Sequence, residues 1–467
     1  MAQPRGNLFA LLLTRVFRIG AGIGVSLLVA RLGPEMMGLH GWTLALANVA
    51  SFLCALGLHT LIVRKVAREP ERAPAFLGQA LTLLATTAPM MIALMVAWAW
   101  VRDGRDVVQL CVMLAGLAMA VQLTNENVQG VFHGLRNMRL ELPAVFAGKS
   151  LYLLLTMGAL SMGFGLPGVF AAQFAGAAIT LVVLLWVARQ AIGSFQPSTD
   201  AAAVRELANE TWPFGMNMLY GTIYLSADIL MLKEFRADEE VGWYRLAALL
   251  GLQLPALAQI LNRGLYPRLS KMVEQPTKAT NELDFGLRIL LTTSMPMAVG
   301  GMVLALPIVL LLGGRPDYAP AAAALIILMP MLPLRFVNNG LGTALSALDM
   351  QPIRTRAVGF AALFNIGTNA MFIPMYGYLG AAGTTVATDA LLTMYLLYYV
   401  RQRLPELSVA PSLLRATIPA VVMGAVVVAL PEWHVLVRIA VGVAVAVPLA
   451  GLTGGLQRGD MERLRGI

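Results

Sequence analysis

Apolar positions in this chain neither alternate nor recur in short amphipathic blocks. They run on for about twenty residues at a time, the length a helix needs to cross a bilayer. Such runs lie at 8–30, 38–60, 76–100, 107–132, 142–162 and 167–188. A polar break follows from Arg189 to Glu210, and Gly193, Pro197, Ser198, Thr199 and Asp200 give it the composition of a linker. A second series lies at 211–232, 241–265, 286–312, 319–346, 355–375 and 378–400, with two further runs at 413–430 and 434–456. The pattern predicts an all-α polytopic membrane protein of about fourteen transmembrane helices. It divides into a six-helix lobe over 1–195, a second over 205–404, and two additional helices with a cytoplasmic tail over 405–467.

Composition agrees with this reading. Of 467 residues 58% are hydrophobic and 13% charged, about half the charge of a soluble domain. Cys54 and Cys111 both fall in apolar runs, so no disulfide framework is expected. The net charge of +9 changes the picture only through its distribution. Arg64, Lys65, Arg68 and Arg72, and later Arg268, Lys271 and Lys278, all fall in loops on one side, which positive-inside topology makes cytoplasmic. The acid-rich stretch Lys233 to Glu240 then falls outside, and both termini fall inside. These basic loops read as topology anchors, and no nucleic-acid partner is expected.

The first apolar run, Leu8 to Arg31, contains Arg15 and Arg18. They interrupt any signal-peptide core, so the segment is expected to stay in the membrane. They are three residues apart and share a face that Gly22 and Ser26 continue. A charge at the bilayer centre costs about 2.5–3.5 kcal/mol on the lenient scales and by default marks a function. Arg15, roughly 10 Å into the helix, can snorkel to the headgroups, whereas Arg18, roughly 15 Å in, reaches them far less easily.

The chain also repeats. Glu35, Gly38 and Arg64 match Glu239, Gly242 and Arg268 at one offset of 204, and Gly165, Gly168, Arg189 and Gln190 match Gly377, Gly380, Arg401 and Gln402 at 212. An even number of helices per half makes the repeat parallel, an architecture that places a substrate site between the halves and near the midplane. Competing chemistry is weak. Pro143 to Ser150, the nearest approach to a phosphate-binding loop, lacks the first glycine and begins a membrane helix. Histidines 40, 59, 133 and 434 are scattered without metal-ligand spacing, and no cofactor or enzymatic role is expected.

Three segments resemble a family. They are ARLGPEMMGLHG with ALGLHTLIVRKVARE between Leu28 and Glu69; Pro213, Asp228, Gly242, Tyr244 and Tyr266-Pro267-Arg268-Leu269-Ser270 between Trp212 and Met272; and Asn365, Asn369, Ile373-Pro374-Met375-Tyr376-Gly377, Gly380-Ala381-Ala382 and Thr385 before Asp389. Together they are similar to Wzx-like polysaccharide and oligosaccharide flippases of the multidrug/oligosaccharidyl-lipid/polysaccharide superfamily. The resemblance implies movement of an undecaprenyl-pyrophosphate-linked oligosaccharide across the bacterial inner membrane by alternating access. It also implies membrane lipids, a polysaccharide polymerase and a chain-length regulator as partners.

A pyrophosphate needs cations that replace its hydration, and guanidinium groups suit it because they bind phosphate oxygens in pairs and stay charged. Arg15 and Arg18 are the first candidates, with Lys149 and Arg335 behind them. Gln122, Glu126, Gln129 and His133 make one stripe of the fourth helix that can face the glycan, as can Asn338 and Asn339 of the tenth. The alternative for such amides is helix-to-helix bonding, and Glu126 can equally neutralise Arg15 or Lys149. Asp228 and Asp389 are candidates for proton or cation coupling or gating, with a structural role preferred for Asp228. Arg245 departs from the small residue more usual there and is expected at the outer interface. A lipid II flippase shares the same lipid-pyrophosphate logic. A multidrug exporter would want acids in place of the arginines, and a membrane glycan polymerase or ligase would want a large outer loop, which this chain lacks.

Overall fold

Within hydrocarbon a backbone must satisfy its own hydrogen bonds, and a helix does so inside one segment. A computed structural model of the protein describes residues 4–55, 57–272, 274–457 and 459–460. Among the described residues every regular element is helical, with no strand. Among the described residues eleven segments are long and apolar enough to cross a membrane by length and composition. The number differs from the fourteen of the sequence reading because some of the expected runs are broken into shorter helices. The chain forms two compact units, Met1–Glu234 and Phe235–Ile467.

The first unit holds α1 (Pro4–Ala30), α2 (Pro34–Ala50), α3 (Phe52–Ala55), α4 (Leu58–Arg68), α5 (Ala73–Arg102), α6 (Asp106–Gly134), α7 (Leu142–Ser161), α8 (Gly165–Ile192) and α9 (Ala201–Phe235). The run expected at 38–60 is broken: Gly57 takes a left-handed φ of 78° and starts α4, which buries Leu58, Leu61, Ile62 and Val66. Helices α7 and α8 approach through Gly148 and Gly176. A methyl on Gly148 would collide with the Thr180 hydroxyl, and one on Gly176 with Tyr152. Gly148 is therefore a packing residue of the small-residue kind that lets membrane helices meet, not part of a phosphate loop.

The expected linker lies along α5. The Ser198 amide donates to the Gly78 carbonyl (3.2 Å) and the Thr82 hydroxyl to the Ser198 carbonyl (2.9 Å). Helix α9, placed in the second lobe by the sequence reading, is tied to the first unit at both ends. Glu210 pairs with Lys65 (2.8 Å), Lys233 with Asp103 (3.2 Å) and Glu234 with Arg102 (2.8 Å). Arg105, and after it Lys233, hold the Asp103 carboxyl down to about 2, so this corner stays ionised at physiological pH. The side chains of Trp212 and Pro213, quoted above for the resemblance, lie outside the described residues.

The second unit holds α10 (Asp238–Gln253), α11 (Pro255–Ser270), α12 (Pro276–Val303), α13 (Ala305–Gly313), α14 (Ala321–Leu328), α15 (Met331–Ala347), α16 (Gln351–Arg403), α17 (Ala410–Val428) and α18 (Val435–Leu452). Pro255 breaks the run expected at 241–265, since proline has no N–H to continue a helix. The runs at 355–375 and 378–400 are two helices that meet within α16 at Gly377, where φ is 59° and ψ −137°. Around that turn Arg236 donates to the Ile373 (3.3 Å) and Pro374 (2.7 Å) carbonyls, and Glu240 accepts from the Tyr378 amide (3.2 Å). The end of the described chain is anchored by a two-pronged pair: Arg288 reaches the two Asp460 oxygens at 2.8 and 2.9 Å. The residues beyond Asp460, expected to form a cytoplasmic tail, lie outside the described residues.

A side chain at Gly377 would need a left-handed backbone and would also strike the Glu240 carboxylate. Gly377→Ala is expected to cost about 1–3 kcal/mol, read as a lower unfolding temperature in detergent. Gly367→Ala, where a methyl meets nothing within 4 Å, is expected to leave it unchanged.

Candidate functional site

Arg18 is half-buried on α1, and its position follows from the shared face read in the sequence. Its Nη2 donates to Gln129 Oε1 on α6 (3.2 Å). Its Nε is buried with no hydrogen-bond partner among the described residues. Lys149 of α7 is half-buried and within electrostatic reach of both Arg18 and Glu126. Its ammonium lies 5.8 Å from the Tyr152 ring centroid. Gln122 completes the set by donating to Glu126 Oε1 (3.2 Å). Stacked rings of Phe17 and Phe146, 4.2 Å apart, hold α1 on α7.

Five residues that the sequence reading proposed thus meet on α1, α6 and α7: Arg18, Lys149, Gln122, Glu126 and Gln129. Arg15 is half-buried one turn earlier on α1 and has an interaction of its own. Two cations face one carboxylate here, and amides flank them. In a medium of low dielectric such a group attracts an anion with little competition from water.

The second unit behaves differently. Arg335 donates through Nε to Asp389 Oδ2 at 3.0 Å, and the two side chains are 11% and 1% exposed. Asn338 donates to the Asp389 carbonyl (3.2 Å), and Asn339 to the Arg335 carbonyl of its own helix (2.9 Å). The sequence reading gave Arg335 to the pyrophosphate and Asp389 to coupling. The structure pairs the two, because α15 and α16 bring positions 54 residues apart into contact.

The resemblance motif on α16 is also internal. Asn369 donates to Asn365 (3.0 Å), Thr384 to Asn369, and Tyr244 meets Thr385 (3.1 Å), all of them buried. Asp228 is buried on α9 and has interactions of its own. Arg245 on α10 is half-buried, and its Nε is buried without a hydrogen-bond partner among the described residues.

Sequence reasoning missed two residues, His59 and Glu141, and their meeting with His133. His59 and His133, 74 positions apart, stand with ring centroids 5.5 Å apart, and His133 Nε2 lies 3.4 Å from Glu141 Oε2. His133 was visible as the last member of the α6 stripe. Nothing in the spacing pointed to His59 or Glu141.

Comparison with known proteins places this geometry. A family described as polysaccharide biosynthesis protein matches residues 5–273. The chain belongs to that family. The match runs from α1 through α11 and includes Arg18, Gln122, Glu126, Gln129 and Lys149. Among relatives of this polysaccharide biosynthesis protein, a probable flippase, AglR of Haloferax volcanii, is 26% identical over 226 residues, 46% of each chain. The alignment thus spans about half the length of that relative.

Solved structures share the fold. The lipid II flippase MurJ in an inward closed conformation gives a TM-score of 0.76 at 15% identity, covering 96% of this chain and 98% of that one. An inward-facing multidrug resistance transporter of the MATE family in the MOP superfamily gives 0.66 at 16%, over 83% and 94%. A MOP superfamily transporter from Pyrococcus furiosus gives 0.61 at 15%, over 85% and 94%. This member of the polysaccharide biosynthesis protein family is therefore a multi-pass membrane protein with the MOP superfamily fold.

Removing one partner of a buried ion pair strands the other charge. Asp389→Asn is expected to destabilise the purified protein by about 3–5 kcal/mol, and Arg335→Met combined with Asp389→Leu to recover most of the loss in thermal unfolding.

Proposed function

We propose that this protein is a flippase that moves an undecaprenyl-pyrophosphate-linked oligosaccharide from the cytoplasmic to the outer leaflet of the bacterial inner membrane, by alternating access, for surface polysaccharide synthesis. The observation that carries this reading is the excess of positive charge at Arg18 and Lys149 in membrane-spanning helices, two cations beside the single carboxylate of Glu126 that acts on Lys149. An exporter of organic cations would need the opposite sign. Arg18 and Lys149 hold the pyrophosphate, assisted by Arg15. Gln122, Gln129 and Glu126 offer hydrogen bonds to the first sugars. Arg335, Asp389, Asn338 and Asn339 keep the second unit rigid, and Asp228 serves structure or gating. Both termini lie in the cytoplasm, and a polymerase and a chain-length regulator act on the exported product.

A second reading, transport of lipid II, is favoured by the likeness over nearly the whole chain to the structure of a lipid II flippase. Both substrates are prenyl-pyrophosphate diesters, so the same pocket serves either, and only a direct comparison of the two lipids separates them.

In proteoliposomes holding the full chain and a labelled lipid-linked oligosaccharide, delivery of the sugar to the far leaflet is expected to depend on the protein. Arg18→Ala is expected to slow it about tenfold or more, a loss of at least ~1.4 kcal/mol. Arg18→Lys, which keeps the charge but not the paired donors, is expected to fall between. Equal rates for Arg18→Ala and wild type at equal reconstitution would remove Arg18 from the pathway.

A further inference from the structure

Two of the chain's four histidines meet a buried carboxylate beside the Arg18 pocket. His59, at the start of α4, fits against α6 because Gly130 leaves room, since a methyl there would press on the imidazole. Its Nδ1 lies 2.7 Å from the Glu126 carbonyl oxygen. A carbonyl only accepts, so Nδ1 carries the hydrogen and Nε2 is left to gain or lose a proton. His133 stands edge-on to it.

On the far side His133 Nε2 faces Glu141 Oε2, and neither atom has a hydrogen-bond partner among the described residues. Glu141 is 1% exposed. A bare imidazole lone pair against a carboxylate oxygen in such a place would be repulsive, so His133 turns an Nε2–H toward Glu141, a hydrogen that the neutral ring can supply as well as the charged one.

The same cluster touches the anion pocket twice. The Thr14 hydroxyl on α1, one turn before Arg18, lies 3.4 Å from Glu141 Oε1. Glu126, whose carbonyl holds His59, turns its carboxylate toward Gln122 and acts on Lys149. Burial above all disfavours a charge on His59, His133 adds to that, and Glu126 and Glu141 act the other way. Arg15 and Arg18 stand on α1, Arg139 on the 3-10 turn that ends at Glu141, and Lys149 on α7.

We propose that His59, His133 and Glu141 form a proton-binding site coupled to the Arg18–Lys149 pocket, so that an anionic diester entering the pocket and a proton entering the cluster each tighten the binding of the other. The inference rests on the pyrophosphate reading of that pocket. Imidazole is the side chain that changes charge between pH 5 and 8. A negative headgroup brought near it favours the imidazolium, and linkage makes the effect reciprocal. The carried proton then gives transport a pH dependence that the arginines alone cannot supply, because guanidinium does not titrate in this range.

The test is binding of a citronellyl-pyrophosphate-linked sugar, a diester with no group titrating between pH 6 and 8, to the purified full chain in detergent. Wild type is expected to bind about tenfold more tightly at pH 6 than at pH 8. His133→Gln is expected to stay within about twofold across that range. His59→Gln, at a half-buried position, provides the same readout should His133→Gln fail to fold. A pH-independent wild-type affinity, or an undiminished slope in the folded histidine variant, overturns the coupling alone. Absence of binding by wild type at both pH values overturns the pyrophosphate reading of the pocket, and this coupling with it.

Discussion

A charged side chain inside hydrocarbon must find a counter-charge, a hydrogen-bonding partner or water, and much of this protein's organisation follows from how each charge meets that demand. In the second unit Arg335 is answered by Asp389 and Arg288 by Asp460, both at hydrogen-bonding distance and largely out of solvent. Such pairs stitch helices together, while Arg245 of α10 keeps a buried Nε with no hydrogen-bond partner among the described residues. In the first unit the demand is met incompletely: Arg18 finds an amide, its Nε finds nothing among the described residues, and Lys149 lies close to Arg18 itself. Keeping two cations near one another in such a medium costs free energy, and an anion that visits the pocket offsets that cost.

The segments that cross the membrane were legible because a bilayer imposes a length and a composition on them. Their breaks were less so. Gly57 and Pro255 lie inside apolar runs, and whether a glycine or proline bends a membrane helix depends on neighbours that satisfy the freed backbone groups. The turn at Gly377 sat in a quoted motif. The residues that fix it, Arg236 and Glu240, lie more than 130 positions away. Likewise the polar stretch before α9 has a linker's composition, yet Gly78 gives it a bed along α5.

The site shows the same division. Helical spacing was enough to put Gln122, Glu126 and Gln129 on one stripe, and charge in an apolar run was enough to single out Arg18. Pairing across helices was not readable, because it depends on packing. Arg335 and Asp389 therefore received separate roles in the sequence, and His59 and His133 seemed scattered. The internal repeat sharpens the contrast: at the offset of 204, Arg15 and Arg18 correspond to Leu219 and Thr222. The charges on α1 therefore have no counterpart at the positions of α9 that this offset matches to them.

The most direct measurement is site-specific photocrosslinking in native membranes that are making the lipid-linked glycan. A photoreactive residue at Gln122, beside Glu126 in the pocket, is expected to capture that glycolipid. The same residue at Trp100, 70% exposed at the end of α5, is expected to capture bulk phospholipid only. Equal capture of the glycolipid at both positions, or none at Gln122, would contradict an anionic headgroup site built on Arg18 and Lys149.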